Sequence, residues 1–225
     1  DKFRNRLMLP VIDVRGDVVG FGSRVLDKSE PKYMNTPETL TYSKRRILYG
    51  MNLAKKSKRS NIILCEGNLD VVTLHQAGFD NAVASMGTAL TQEQLRLLSR
   101  YTKELVLCYD NDNAGQQATR RALELLNNSE FSVKVLQLPR RLVDGEYIKQ
   151  DADDFIKFQG PAAFERLLTG SENGVEFRLD QIAGKYDLTD DTQRIAYAQE
   201  VSEELAKLDN AVEREVYTTR AAQAA

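Results

Sequence analysis

Two carboxylates one residue apart close an apolar run. Leu105 to Tyr109 reads LVLCY, and Asp110-Asn111-Asp112-Asn113-Ala114-Gly115 follows at once. Like charges so close repel unless a cation lies between them. Hard divalent cations such as Mg²⁺ take oxygen ligands and are held by one or two carboxylates together with substrate phosphates. If the chain is still extended through 110–112, the two-residue period of a strand points both side chains to one side. Asp112 taken alone fits a second role, as N-cap of the helix that follows. The placement recurs elsewhere. Glu66 follows IILC, and Asp151, Asp153 and Asp154 lie beyond SVKVLQLP after a loop. In an open parallel sheet, ligands bind beyond the carboxyl ends of the strands. Three acidic clusters at or near such ends point to a metal-dependent site.

The elements that must position these acids are legible from periodicity. Residues 62–66, 81–85, 105–110 and 132–138 are short continuous apolar runs, as buried parallel strands require. Helical patterns separate them, over 69–77 with Gly78 as stop, after Thr91 with a capping box to Gln94, and over 114–127. The apolar spacing of the last is Ala114, Ala118, Ala122 and Leu125, with Leu126 beside it. Right-handed crossovers give a small doubly wound sheet with helices on both faces. Before it, MLPVID and VVGFGSRVL read as a hairpin turning at 13–17, and Gly20 and Gly22 mark a bulge or a close approach. Residues 28–43 read as an irregular loop and 44–54 as a helix. After about 160 the strands cease, and 161–170, 174–184 and 190–222 read as helical, the last with Ile195, Ala198, Val201, Leu205 and Leu208 on its apolar spacing. The expected class is α/β, with parts at 1–59 (basic, mixed α/β), 60–160 (parallel sheet) and 161–225 (helical).

Charge and composition narrow the function. Residues 1–59 hold 14 Lys/Arg against 6 Asp/Glu, and the rest hold 17 against 27, within a net −2. A basic segment coupled to an acidic remainder suits a polyanion on one surface and metal on another. Arg24, Lys32, Tyr33, Asn35 and Lys44 stand out in the basic part. Arg24 ends the glycine-bearing strand, and PKYMN offers a cation, a stacking ring and an amide, a mixture suited to single-stranded nucleic acid or a nucleotide. Two cysteines and one histidine cannot fill a four-ligand Cys/His zinc site. Cys65 and Cys108 end apolar runs and are expected buried and reduced, as in a cytoplasmic protein. His75 sits in a helical pattern without Ser or Cys partners and reads as structural. No stretch approaches the roughly 20 apolar residues of a membrane span. The start at Asp1-Lys2-Phe3-Arg4 is no signal peptide and lacks Met, so a piece of a longer protein is expected.

Glu66-Gly67 with Asp70, followed by Asp110-x-Asp112 before Ala114-Gly115, resembles the motifs of the Toprim domain, shared by topoisomerases, bacterial primases and some nucleases. DKFRNRLMLPVID, GFGSRVL, PKYMNTPET, LYGMNLA and ASMGTALT narrow the resemblance to the catalytic domain of bacterial replicative DNA primases of the DnaG type. It covers nearly the whole chain and is weakest after 170. It implies that Glu66, Asp110 and Asp112 are catalytic and metal-binding acids. Asp151 and Asp153 match the third acidic motif, usually D-P-D, here Asp151-Ala152-Asp153. Asn68-Leu69 replaces a common Tyr-Met, and Ser23 stands where Gly is frequent.

The resemblance further implies two or more Mg²⁺ or Mn²⁺ ions, a single-stranded DNA template, ribonucleoside triphosphates and an RNA primer as partners, and a monomeric enzyme. It places a zinc-binding domain and a helicase-binding domain outside this chain, so the replicative helicase is expected to act through a missing C-terminal domain. Glu66 is either a metal ligand or the base that takes the proton from the attacking hydroxyl. Other Toprim phosphodiesterases, a nuclease or a topoisomerase fragment, and a non-catalytic nucleic-acid clamp are the alternative readings.

Overall fold

The computed structural model describes residues 2–127, 129–143 and 146–224. Positions 1 and 225, the outer limits of the first and third predicted parts, lie outside the described residues. The chain forms two compact units, 1–171 and 172–225.

The first unit opens with an antiparallel sheet. β1 (Arg6–Ile12) pairs with β2 (Val18–Val25) across the expected turn, where Asp13 Oδ1 accepts the N–H groups of Arg15, Gly16 and Asp17. The register passes from Val11↔Gly20 to Ile12↔Val18, so Val19 is the extra residue of a bulge beside the predicted glycine. The segment read as a loop contributes a third strand, β3 (Tyr33–Asn35), paired to the free edge of β2. Three residues flanked by Pro31 and Pro37 are too short to show a strand period. The expected helix at 44–54 shrinks to α1 (Met51–Ala54). Gly50 before it has φ +81, and Tyr49 exchanges both backbone hydrogen bonds with Ala84 at 2.8 and 3.1 Å. The apolar residues at 47–51 thus line a sheet edge rather than one helix face.

A four-stranded parallel sheet follows. β4 (Asn61–Cys65), β5 (Ala82–Ala84), β6 (Glu104–Cys108) and β7 (Ser132–Val135) lie in the order β7-β6-β4-β5. Ile63, Cys65, Val106 and Cys108 are buried under α2 (Asn68–Gln76), α5 (Ala152–Gln159) and α6 (Pro161–Thr169). Phe164 anchors that layer, edge-on to Phe79 at 4.8 Å and to Phe155 at 6.1 Å. Ile62, Leu64, Leu105 and Leu107 on the other face are equally buried, so the sheet is covered on both sides as the unbroken apolar runs require. α3 (Gln92–Leu98) carries the predicted capping box, with Thr91 and Gln94 bonding reciprocally. His75 lies on α2 with Nε2 2.9 Å from the Ala82 carbonyl, and both cysteines are buried and unpaired.

Three departures matter for the site. α4 (Asn113–Leu126) buries Gly115, Thr119, Ala122, Leu123 and Leu126, one position on from the expected Ala114–Ala118 stripe, because Gly115 and not Ala114 faces the end of β6. Beyond β7, which stops at Val135, a hairpin of β8 (Arg141–Val143) and β9 (Glu146–Ile148) replaces the expected loop. Asp151 does not sit in a loop either; it caps α5.

The second unit packs α7 (Gly174–Ala183), α8 (Asp191–Leu205) and α9 (Ala211–Ala224) around Leu179, Ile182, Tyr197, Val201 and Leu205. Ile195, expected on the buried stripe of α8, is 62% exposed, because Tyr197 sets the phase of that face. Asn210 Oδ1 accepts the Val212 N–H and starts α9, dividing the 190–222 helical pattern in two. Among the described residues no helix is long and apolar enough to cross a membrane.

Candidate active site

β4 and β6 are neighbours in register, with Cys65 opposite Cys108, so their ends deliver Glu66 and Asp110 side by side. Strand geometry stops at Cys108, and the extended D-x-D expected from sequence is instead a strand end turning into a helix cap. The Asp110 N–H donates to Glu66 Oε1 at 3.1 Å, which leaves Glu66 Oε2 without a partner among the described residues. Asp112 caps α4 by accepting the Gly115 N–H at 2.9 Å through Oδ1. Its Oδ2 accepts from Lys149 Nζ at 2.7 Å, and the same ammonium is 3.9 Å from Asp110 Oδ2. One oxygen of Asp112 thus realises the capping reading, and the other is held by Lys149.

The second acidic group lies on α2 and α5. Asp70, at the third position of α2, accepts the Gly67 N–H at 3.0 Å and the Asp153 N–H at 3.3 Å, tying the two helix starts together. Asp151 accepts the Asp154 N–H at 2.7 Å. Asp153 is nearly buried and accepts from the Thr73 hydroxyl and from Lys157 Nζ. One oxygen from each of Asp151, Asp153 and Asp154 falls within 4.8 Å of the others. The predicted ligands thus fall into two sets: Glu66, Asp110 and Asp112 are linked by one N–H bond and a shared lysine, whereas among the described residues only Asp151 and Asp153, with Asp154 added, bring three carboxylate oxygens that close together. Ala152 opens α5 at its first position, where a proline would also fit.

Burial and mutual repulsion dominate the electrostatics. Burial, then the charges of Asp151 and Asp110, push Asp70 up to about 7. Burial, then Glu66 and Asp151, push Asp110 up to about 6, against the pull of Lys149. Burial also raises Glu66. Asp112 lies at the solvent side and is lowered, first by its bond to Lys149. Clustered carboxyls held above their ordinary range are short of positive charge, and an all-oxygen donor set of this kind fits Mg²⁺ or Mn²⁺. A pH dependence follows. Between an unfolded value of 3.8 and a folded value of about 7, the native state binds more protons at Asp70 than the unfolded state. Stability of the metal-free chain therefore falls as pH rises through that window. Thermal melting with a chelator present should show this fall, and Asp70→Asn should flatten it. A wild-type melting temperature that rises over the same window, or an unchanged profile in Asp70→Asn, would contradict the assignment.

The basic sheet meets this acidic mouth. Gly22 of β2 lies so close to Asn68 that an added Cβ would stand 2.6 Å from its Nδ2, and 3.2 Å from Asn35 Oδ1. Asn35 also donates to the Met86 carbonyl at 3.3 Å. Tyr33 is 51% exposed, with Lys32 Nζ 5.5 Å and the Arg24 guanidinium 5.8 Å from its ring centre. Burial raises the Tyr33 hydroxyl; Arg24 opposes this, and the charges of Asp70, Asp151 and Asp153 add to the rise. Ser23 donates to the Met34 carbonyl at 3.2 Å and helps hold β3. Lys44 lies apart from this group, with its backbone N–H on Glu38. Sequence reasoning missed Lys149, because the hairpin that delivers it was read as a loop. A lysine two residues before an acidic D-x-D was the available signal.

Comparison with known proteins assigns these features to one lineage. Residues 1–55 match the family described as the DNA primase catalytic core, N-terminal domain, and residues 63–156 match the Toprim-like family. Residues 175–225 match the DnaB-helicase binding domain of primase. This corrects the expectation that a segment of that description lies outside the chain. The DNA primase of Clostridium acetobutylicum is 42% identical over 96% of this chain and 35% of its own length, and that of Listeria monocytogenes is 40% identical over 96% and 34%. The chain thus spans about a third of the curated relatives it matches. Among solved structures, a DnaG primase catalytic domain bound to single-stranded DNA is 32% identical, covering 99% of this chain and 71% of that one with a TM-score of 0.79. The RNA polymerase domain of Mycobacterium tuberculosis primase DnaG with double-stranded DNA is also 32% identical, covering 100% and 71% with a TM-score of 0.84. Identity of 32% over nearly all of this chain and 71% of the solved DnaG domains has one consequence: this chain belongs to the DnaG-type DNA primase family.

Proposed function

We propose that the chain is the polymerising part of a DNA primase, a nucleotidyltransferase that joins ribonucleotides on a single-stranded DNA template. The observation that carries this reading is the junction of a cation-poor acidic centre with an exposed basic and aromatic strand edge. The basic part spans 1–59, the Toprim part 60–160 and the helical part 161–225, with helicase contact through 175–225. The enzyme acts as a monomer on template, ribonucleoside triphosphates and growing RNA primer.

In the reaction a 3′-hydroxyl attacks an α-phosphate in line and pyrophosphate leaves. Asp110, Asp112 and Asp151 would hold two divalent ions, Mg²⁺ or Mn²⁺, with Asp153 close by. Bound there, such ions stabilise the charge on the attacking and leaving oxygens. Glu66 offers one free carboxylate oxygen, the other being fixed by the Asp110 N–H, and takes the proton of the attacking hydroxyl. Asp70 positions Gly67 and Asp153 and so sets the spacing of the two acidic groups. Lys149 neutralises Asp112 while no substrate is bound.

Arg24, Lys32, Tyr33, Asn35 and Lys44 carry the template and nucleotide phosphates, with Tyr33 as the stacking ring. Each lost phosphate contact lowers the log–log salt slope of single-strand binding by roughly 0.7. Lys32→Ala and Lys44→Ala should each weaken binding and flatten that slope, while Lys207→Ala in the second unit should do neither. Indistinguishable slopes in all three would remove the basic segment from the template path. The activity itself is tested with labelled ribonucleotides, single-stranded template and Mg²⁺ or Mn²⁺. Template-dependent RNA is the expected product, and cleavage of the DNA in its place would favour a phosphodiesterase.

A further inference from the structure

A second cationic feature lies along α3 and the segment that precedes α1. The Thr91 hydroxyl donates to the Arg45 carbonyl at 2.6 Å and fixes the 45–46 segment at the start of α3; Arg96 lies on that helix and Arg100 just beyond its end. With Arg46 they rim a cavity of about 420 Å³ floored by apolar residues including Ile12, Leu48 and Met51. Two carboxylates share the rim, and both are already engaged. Asp13 is closed into the β1–β2 turn by three N–H groups and by Arg15 Nε at 3.1 Å. Glu93 is 3.5 Å from Arg45. The guanidiniums of Arg46, Arg96 and Arg100 have no hydrogen bond or ion pair within contact distance among the described residues; the Glu93 carboxylate, held low first by its own backbone N–H and then by the charges of Arg45, Arg96 and Arg46, offsets only part of theirs, so the cavity mouth stays net positive.

We propose that this cavity is a second anchoring site for single-stranded nucleic acid, its three arginines taking backbone phosphates of the strand. Three features favour a strand over a free nucleotide. Arg96 lies on α3 and Arg100 two residues past its end, so they offer separate phosphate contacts rather than one fork. No aromatic ring lines the cavity to stack an isolated base. Lys44-Arg45-Arg46 connects the cavity along the chain to the template path assigned above, on which this inference rests. Planar guanidiniums match phosphate oxygens bidentately, and the apolar floor accepts sugar and base edges.

The test is the salt dependence of binding of a fluorescent single-stranded oligonucleotide to the 225-residue chain. Combined replacement of Arg46, Arg96 and Arg100 by Ala should lower the log–log slope by about 2, at roughly 0.7 per contact. Lysine at the same three positions should restore most of it, and Arg121→Ala on α4 should leave it unchanged. All three side chains are exposed, so melting temperatures should match and unfolding cannot imitate the result. Lys32→Ala and Lys44→Ala are measured alongside. If those flatten the slope and the triple variant does not, the template path stands and the second anchor is overturned. If none flattens it, both fall. A non-hydrolysable ribonucleoside triphosphate is titrated in parallel, and loss of its binding with an unchanged strand slope would make the cavity a nucleotide pocket and overturn the strand assignment.

Discussion

Glu66→Gln is expected to lower template-directed RNA synthesis by on the order of 10²–10⁴-fold, the contribution of a positioned general base. The substitution keeps the shape and an oxygen to accept the Asp110 N–H, so the link between the ends of β4 and β6 survives. What it removes is the ability to accept a proton and one negative charge. A second readout separates this from a fold defect. The Glu66 charge is the largest electrostatic cause, after burial, of the raised Asp110 value of about 6. In Glu66→Gln the Asp110 carboxyl should titrate lower, as carboxyl-carbon NMR would show, with the melting temperature little changed. Near-normal synthesis would make Glu66 a structural residue.

Gly115→Ala should have a large effect without touching any acid. A Cβ at this position would stand 2.0 Å from the Asp110 carbonyl oxygen and 2.8 Å from Glu66 Oε1. The first neighbour is backbone and cannot swing aside, so α4 must move away from the end of β6. Overpacking of this kind costs on the order of 1–3 kcal/mol, and more where nothing yields. Because α4 starts on Asp112, the displacement carries a proposed metal ligand with it. Loss of melting temperature and of divalent-metal binding should appear together. A variant with wild-type melting and metal affinity would show that the helix has slack the packing does not reveal.

The parallel sheet was legible because β4, β5 and β6 are buried on both faces and so read as unbroken apolar runs, the first and third ending in an acid; the edge strand β7, with Lys134 within it, is only partly buried. The acids themselves were legible for the same reason: a charge at the tip of a core strand has few structural uses. What could not be read was anything whose signal is shorter than its period. β3, β8 and β9 have three residues each and are not buried on both faces, so, unlike the equally short but fully buried β5, no apolar run marks them. Lys149 was lost with that hairpin. The one-residue phase error in α4 has a different source. Alanine counts as apolar and glycine as a breaker, yet Gly115 is the buried residue, because close approach to Asp110 requires the missing Cβ. Tyr49 and Gly50 illustrate the same limit, since Gly50 with φ +81 interrupts a sequence whose apolar spacing suits a helix. The pairing of Asp70 with Gly67 and Asp153 was half legible. Its place in the first turn of α2 was visible, but its contact with a segment 83 positions away was not.

The central claim is that Glu66, Asp110 and Asp112, with Asp151 beside them, form one divalent-metal centre for nucleotidyl transfer. Crystals of the chain soaked in millimolar Mn²⁺ with a non-hydrolysable ribonucleoside triphosphate test it directly. Anomalous density is expected within bonding distance of Asp110 and Asp112, with Lys149 displaced from Asp112. Bound nucleotide with no anomalous density at these carboxylates, or with Lys149 still seated on Asp112, would contradict it.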